Sequence, residues 1–192
     1  MRGRFIVLEG PDGSGTTTHV SLLADALRAQ GEDAIVTQEP TTGPIGTFIR
    51  QELSKGVIPA AALQMLFSAD RAWHVEDVLL PALEEGKTIV CDRYLLSTLI
   101  YGQALGLDSE WLEHMNKNFI RPDTLIIVLP PFETCFKRIN KRETKDMLES
   151  QDALQRAVYD GYIAYAEKHS IPVVDSSAEK TVVASQLLNL AK

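Results

Sequence analysis

Residues Gly10-Pro11-Asp12-Gly13-Ser14-Gly15-Thr16-Thr17 space their glycines like a loop built to hold phosphate, between an apolar run and a stretch of helical period. In such loops backbone N–H groups cradle donor phosphates, a lysine reaches the outermost pair, and the following Ser or Thr binds Mg²⁺. Gly10, Gly15 and Thr17 stand where the pattern needs them, and Thr16 stands where the lysine belongs. Alone, the loop also fits an ordinary strand-to-helix turn. Its context favours the chemical reading, because Thr16-Thr17-Thr18 adds hydroxyls at a helix start that already attracts anions. Asp12 is the odd member: a carboxylate in a phosphate cradle repels phosphate unless it faces a sugar hydroxyl or a metal.

Three further groupings carry chemistry. The run Thr88-Ile89-Val90-Cys91 delivers Asp92-Arg93-Tyr94 to the same edge, where Asp92 could position Mg²⁺ or its waters and Arg93 could clamp a phosphate; a salt-bridged strand end is the plainer alternative. Phe67 and Arg71 are four apart on an expected helix, so a ring and a guanidinium share one face and could stack on a base and bond its edge. A core phenylalanine beside a surface arginine would look the same in sequence. Arg138, Lys141, Arg142 and Lys145 crowd one segment, with Asp146 and Glu149 behind. That run reads either as a solvated face or as a mobile lid, at about 138–149, whose cations close over phosphates. His74 and His114 have no partner at metal-ligand spacing and read as structural, and Trp73 and Trp111 read as packing residues.

The elements that must position these groups are short apolar runs alternating with amphipathic stretches. Phe5–Leu8, Ala34–Val36, Thr88–Cys91, Leu125–Leu129 and Pro172–Val174 read as buried strands of a parallel sheet. Val20, Leu23, Ala24 and Leu27 share a helix face, and Leu63–Leu83 and Leu154–Ala166 supply further apolar stripes. Right-handed crossovers then place helices on both sheet faces, with ligands beyond the carboxyl ends of the strands. At 192 residues, 45% hydrophobic, one α/β domain spanning 1–192 is expected. A net charge of −7 with intermixed signs leaves no broad cationic face for a nucleic acid or an anionic membrane. No apolar run approaches the roughly 20 residues of a membrane span. With no signal peptide evident and only Cys91 and Cys135 present, a reduced cytoplasmic protein is expected.

Taken together, FIVLEGPDGSGTTT, QEPTTGPIGTFIR, LFSADRAWHVEDVLLPALEEGK, TIVCDRYLLSTLIYG and RPDTLIIVLPPFE resemble the thymidylate kinase family in order over about the first 150 residues. The resemblance implies a three-layer α/β/α P-loop kinase fold with a five-stranded parallel sheet and a short lid, and a cytoplasmic homodimer. It also implies Mg²⁺-dependent transfer of the γ-phosphate of ATP to dTMP, giving dTDP and ADP. Gly10, Pro11, Asp12, Gly13, Ser14, Gly15, Thr16, Thr17 and Thr18 would hold ATP, with Thr17 and Asp92 at the metal. Asp12 would lie near the sugar 3′-hydroxyl of the acceptor, Phe67 would stack on thymine, Arg71 would reach its O4, and Thr98 would sit at the base edge. Tyr101 would crowd the 2′ position and favour deoxyribose, Arg50 and Arg93 would hold the acceptor phosphate, and Glu9, Glu39 and Ser97 would belong to the same substrate site. Asp92, Arg93 and the lid cations Arg142, Lys145 and Lys141 would form the catalytic group.

The chain departs from the family's pattern at several places. Besides Thr16, Gln38 stands where Arg-Glu-Pro is usual, Gly102-Gln103 reverses a common Gln-Gly, Met147 replaces a frequent lid arginine, and Val128 a frequent strand-end aspartate. These departures motivate two alternatives, a kinase for another monophosphate on the same scaffold and a nucleotide-binding protein with little catalysis. The retained Asp92-Arg93, Thr17 and basic lid count against the second.

Overall fold

A computed structural model describes residues 2–192. Five strands, β1 (Arg4–Glu9), β2 (Ala34–Gln38), β3 (Thr88–Asp92), β4 (Thr124–Val128) and β5 (Val173–Val174), form one parallel sheet in the order β2-β3-β1-β4-β5. The strands alternate their side chains between faces. Ile6 and Leu8 of β1 join one core cluster and Phe5 and Val7 another, and all four are fully buried. Burial on both faces is why these strands read as unbroken apolar runs. Each such side chain contributes roughly 1.5–3 kcal/mol relative to exposure.

One sheet face is covered by α1 (Thr16–Ala29) and α9 (Lys180–Leu190), through Val20, Leu23 and Leu27 of the first and Val183 and Leu187 of the second. Against the other face lie α2 (Pro44–Lys55), α3 (Ala60–His74), α4 (Leu80–Glu84), α5 (Leu95–Ala104) and α8 (Asp152–His169), while α6 (Ser109–Asn116) packs on α3 and α5. The last helix, α7 (Phe132–Asn140), follows β4. The apolar stripe expected over Leu63–Leu83 is not one regular helix: Val75–Leu79 forms a π turn between α3 and α4. Pro81 accounts for it, since its missing N–H and its ring exclude the ordinary bond to the carbonyl four residues back.

This topology creates the site. The chain leaves β1 for α1 on one face and leaves β3 for α5 on the other, opening a crevice between two adjacent carboxyl ends. The register aligns Leu8 with Asp92 and Gln38 with Asp92, so the glycine loop, Asp92-Arg93 and Glu39-Pro40 converge there. No helix among the described residues is long and apolar enough to cross a membrane. Cys91 and Cys135 are free and buried.

Candidate functional site

The glycine loop is shaped by what its residues lack. A Cβ on Gly10 would be driven into the Val128 carbonyl, and one on Gly13 into that of Cys135. Gly13 and Gly15 also hold φ of 76° and 92°, which glycine adopts without strain. The loop therefore presses against β4 and α7 and feeds α1, whose first amides have no acceptor within the helix. Those N–H groups, with the positive end of the helix dipole, are donors that suit an anion.

Thr17 stands on the first turn of α1 and donates from Oγ1 to Asp92 Oδ2 over 2.5 Å. Asp92 is buried, and its Oδ1 has no hydrogen-bond partner among the described residues. A hydroxyl beside a carboxylate with an open oxygen is a hard donor set that suits Mg²⁺. Among the described residues no cluster of three or more metal-ligating side chains occurs, so phosphates and waters would complete the coordination.

Arg93 follows in the left-handed region, with φ of 65°, a conformation that strains a residue carrying a Cβ. It is held there by its N–H, which donates to the Leu8 carbonyl at 2.9 Å. Its guanidinium donates to Asp12 Oδ1 at 2.7 Å and Ser97 Oγ at 3.2 Å, and lies 5.4 Å from the Tyr101 ring centre. The distorted strand end thus ties β3 to the glycine loop and to α5.

Behind it lies a partly enclosed pocket framed by two buried acids, Glu39 in its wall and Glu9 beneath it. Arg71 is 1% exposed; its Nε and Nη2 donate to Glu39 Oε2 at 2.9 and 2.7 Å, and Nη2 also reaches Tyr94 O and Thr98 Oγ1. Its Nη1 donates to Asn116 Oδ1. His74 bridges Glu39 Oε1 at 3.0 Å and Thr37 Oγ1 at 2.7 Å, which bears out its structural reading. Glu9 accepts from the Tyr94 and Ser97 N–H groups, from Ser97 Oγ and from Tyr162 OH, capping the start of α5 from across the sheet. Burial pushes its carboxyl up, against those hydrogen bonds and the charge of Arg93. Phe67, Thr98 and Tyr101 line the pocket, and burial pushes the Tyr101 hydroxyl up, keeping it protonated.

A second, open groove adjoins the pocket. The glycine loop, Thr17, Arg50, Asp92, Arg138 and Arg142 line it. Asp12, Glu39, Arg93 and Asp146 border both spaces, so whatever occupies the pocket meets whatever occupies the groove at Asp12 and Arg93.

The thymidylate kinase family model matches residues 8–187. A protein named "Probable thymidylate kinase" from Pyrococcus abyssi is 40% identical over 100% of this chain and 97% of its own length. Proteins of the same name from Pyrococcus horikoshii and Methanocaldococcus jannaschii are 43% and 36% identical, over 87% and 90% of this chain and 84% and 87% of theirs. The chain belongs to the thymidylate kinase family. Its α/β/α layers are the P-loop kinase fold, and the family implies ATP as co-substrate.

Against the family's expected site, the structure gathers most of the residues singled out in sequence but not all. Gly10 to Thr18, Glu39, Arg50, Phe67, Arg71, Asp92, Arg93, Ser97, Thr98 and Tyr101 converge on the crevice. Glu9 lies beneath it, bonded to the frame, and borders neither the pocket nor the groove. Arg50 donates from Nη1 and Nη2 to the Thr41 and Pro40 carbonyls, which leaves three of its five N–H donors for a ligand. In the lid segment, α7 continues through Asn140, and irregular chain covers 141–151. Arg142 borders the groove and pairs with Glu149; Lys145 donates to Asn140 Oδ1, and Lys141 is exposed. Leu148 is buried in the core, and the Met147 N–H donates to Leu53 O at 3.1 Å, pinning the far end of the lid.

Several residues of the constellation escaped the sequence reading. Gln155 Nε2 reaches Asp12 Oδ2 at 3.3 Å and Leu148 O at 2.9 Å, joining lid and glycine loop from α8. Asn116 and Tyr162 orient Arg71 and Glu9. None stands in a recognisable motif; a polar residue inside an otherwise apolar helix face was the only available signal.

Proposed function

We propose that the chain phosphorylates dTMP to dTDP with ATP, by direct in-line transfer and without a phosphoenzyme. The observation that carries this reading is the shared wall: a partly enclosed pocket of a size for a base and sugar meets, at Asp12 and Arg93, a groove lined by the glycine loop and three further arginines. Family membership fits the same reading.

Phe67 would stack on thymine and Thr98 would sit at its edge. A guanidinium carries five N–H donors. In Arg71, Nε bonds Glu39, both Nη2 hydrogens have acceptors and one Nη1 hydrogen bonds Asn116, leaving a single Nη1 hydrogen for thymine O4. Asp12 would accept from the 3′-hydroxyl, Tyr101 would crowd the 2′ position, and Arg93 and Arg50 would hold the acceptor phosphate. The amides of Gly13 to Thr18 would hold the donor phosphates. Thr17 and Asp92 would hold Mg²⁺, which supplies charge neutralisation on those phosphates. Arg142, with Lys141 and Lys145, would close from the lid over the transferring group. An acceptor phosphate oxygen is already ionised at neutral pH, so the protein's task is positioning and charge compensation rather than proton removal.

We read the setting as cytoplasmic, in keeping with two free thiols, and the assembly as a homodimer. Exposed Phe48 of α2 and Met65 of α3 are apolar side chains available to such an interface.

The test is ADP release with ATP·Mg²⁺ against dTMP, dUMP, dCMP, dGMP and UMP. Preference for dTMP is the expected outcome; another preferred acceptor, or silence with all five, overturns the assignment.

A further inference from the structure

Thr16 leaves the glycine loop without a cation of its own, yet a cation touches the loop from behind. Arg138, on the last turn of α7, donates from Nη1 to the Gly13 carbonyl at 3.0 Å, the Ser14 carbonyl at 3.1 Å and Ser176 Oγ at 3.3 Å, and from Nη2 to the Ser176 carbonyl at 3.0 Å. We propose that Arg138 is the positioning residue that stands in for the absent lysine, fixing the loop's amides and giving the donor-phosphate groove its permanent positive charge. The inference rests on the kinase reading of the groove and adds a residue that neither the motif nor the lid supplies.

Three observations support it. In a trans peptide the carbonyl and the next N–H point in opposite directions. Holding the Ser14 carbonyl from the α7 side, where Ser176 Oγ also donates to it, therefore turns the Gly15 N–H the other way and fixes its aim. Next, every partner of Arg138 is neutral: it has no carboxylate ion pair among the described residues, so its charge is not cancelled locally. Its Nη1 lies 3.5 Å from where a Cβ on Gly15 would be, and the side chain borders the groove. Finally, the other cations at or near the groove do not touch the glycine loop's backbone: Arg50 donates to the Pro40 and Thr41 carbonyls, and three more have partners of their own. Arg142 pairs with Glu149, Lys145 bonds Asn140 and Arg93 pairs with Asp12. His19, whose N–H bonds the Gly15 carbonyl, is pushed down by burial and by the charges of Arg138 and Lys180, and so stays neutral beside the loop.

A bond to two loop carbonyls could serve the fold alone, so the experiment separates charge from scaffolding. An imido analogue of ATP with Mg²⁺ is titrated into the full chain and into Arg138→Gln, Arg138→Lys, Thr16→Lys and the Arg138→Gln/Thr16→Lys pair, with thermal melts alongside. Losing one charge-assisted contact predicts weakening of the analogue by about tenfold or more in Arg138→Gln. Where dTMP is phosphorylated, its KM should stay within about twofold, because the charge acts on the donor side. Thr16→Lys should recover most of the loss in the Arg138→Gln background, and Arg138→Lys should fall between. Unchanged analogue binding in Arg138→Gln, or a loss that Thr16→Lys does not restore, overturns the proposal. If Arg138→Gln fails to fold, Arg138→Lys decides it: a weakened analogue that Thr16→Lys restores supports the role, and undiminished binding overturns it. Because the titration needs no turnover, it reads Arg138 even if the acceptor assay fails; dTMP phosphorylation with unaltered analogue binding would sink Arg138 alone.

Discussion

The pocket and the groove share a wall but are built differently. In the pocket, Arg71, Glu39, His74, Asn116, Glu9, Ser97 and Tyr162 form a bonded, buried frame, while the Gln64 amide and the Tyr94 and Tyr101 hydroxyls of the lining are buried without a partner among the described residues. In the groove, Asp92 Oδ1 is unpartnered, the first amides of α1 are open, and the lid cations are exposed. A bonded frame holds its shape before any ligand arrives, and leaves the Gln64 amide, two tyrosine hydroxyls and one Arg71 hydrogen for a mostly neutral base and sugar. An open set of donors and charges suits a polyanion that brings its own oxygen atoms. The pocket's residues should therefore govern folding and the groove's residues turnover.

The largest effect should come from the pocket. Glu39→Ala removes the only carboxylate bonded to Arg71 among the described residues and leaves a guanidinium buried and uncompensated. Breaking a buried pair this way costs about 3–5 kcal/mol, or roughly a 10 °C fall in Tm for a chain of this size. A melt within a couple of degrees of the native chain would erase the contrast between the two regions.

Arg142→Ala tests the other side. Its pair with Glu149 is half exposed, so its loss should cost stability about 1 kcal/mol or less. If Arg142 turns from Glu149 to the transferring phosphoryl group, kcat should fall by about two orders of magnitude or more, the size expected for one preorganised charge stabiliser. Steady-state rates and melts on the same preparation check both halves; an unchanged kcat would remove Arg142 from the lid role.

What the sequence revealed divides along the same line. Strands buried on both faces announced themselves as apolar runs, and the observed bounds shift by a residue or so, Thr124–Val128 against the expected Leu125–Leu129. The glycine loop and Asp92-Arg93 were legible because their spacing is imposed by local backbone geometry. The pocket's frame was not: Glu39 and Arg71 are 32 residues apart, Arg71 and Asn116 are 45 apart, and Glu9 and Tyr162 are 153 apart. Only the assembled sheet and the crossing of α3, α6 and α8 bring them together. Arg138 was visible as one charge in a basic run, but its turn towards the glycine loop depends on α7 continuing through Asn140.

The smallest effect concerns the point where pocket and groove meet the lid. Asp146 borders both spaces, and its carboxyl is pushed up to about 6, by burial first and by the charge of Asp12 second, against amides of the lid and the charge of Arg142. A carboxyl raised in the folded state favours folding while protonated. Its contribution is present below the ordinary aspartate value near 4 and is lost as pH rises through about 6. Asp146→Asn mimics the protonated form and keeps the oxygen that accepts from the Leu148 and Glu149 N–H groups. Discounted for partial exposure, the gain should be about 1 kcal/mol at pH 7.5, or 2–4 °C in Tm, shrinking as pH falls from 6 towards 4. Melts across that range decide it. A constant offset between the two proteins at every pH would mean that Asp146 is held by geometry alone, and that the lid does not sense the charge on Asp12.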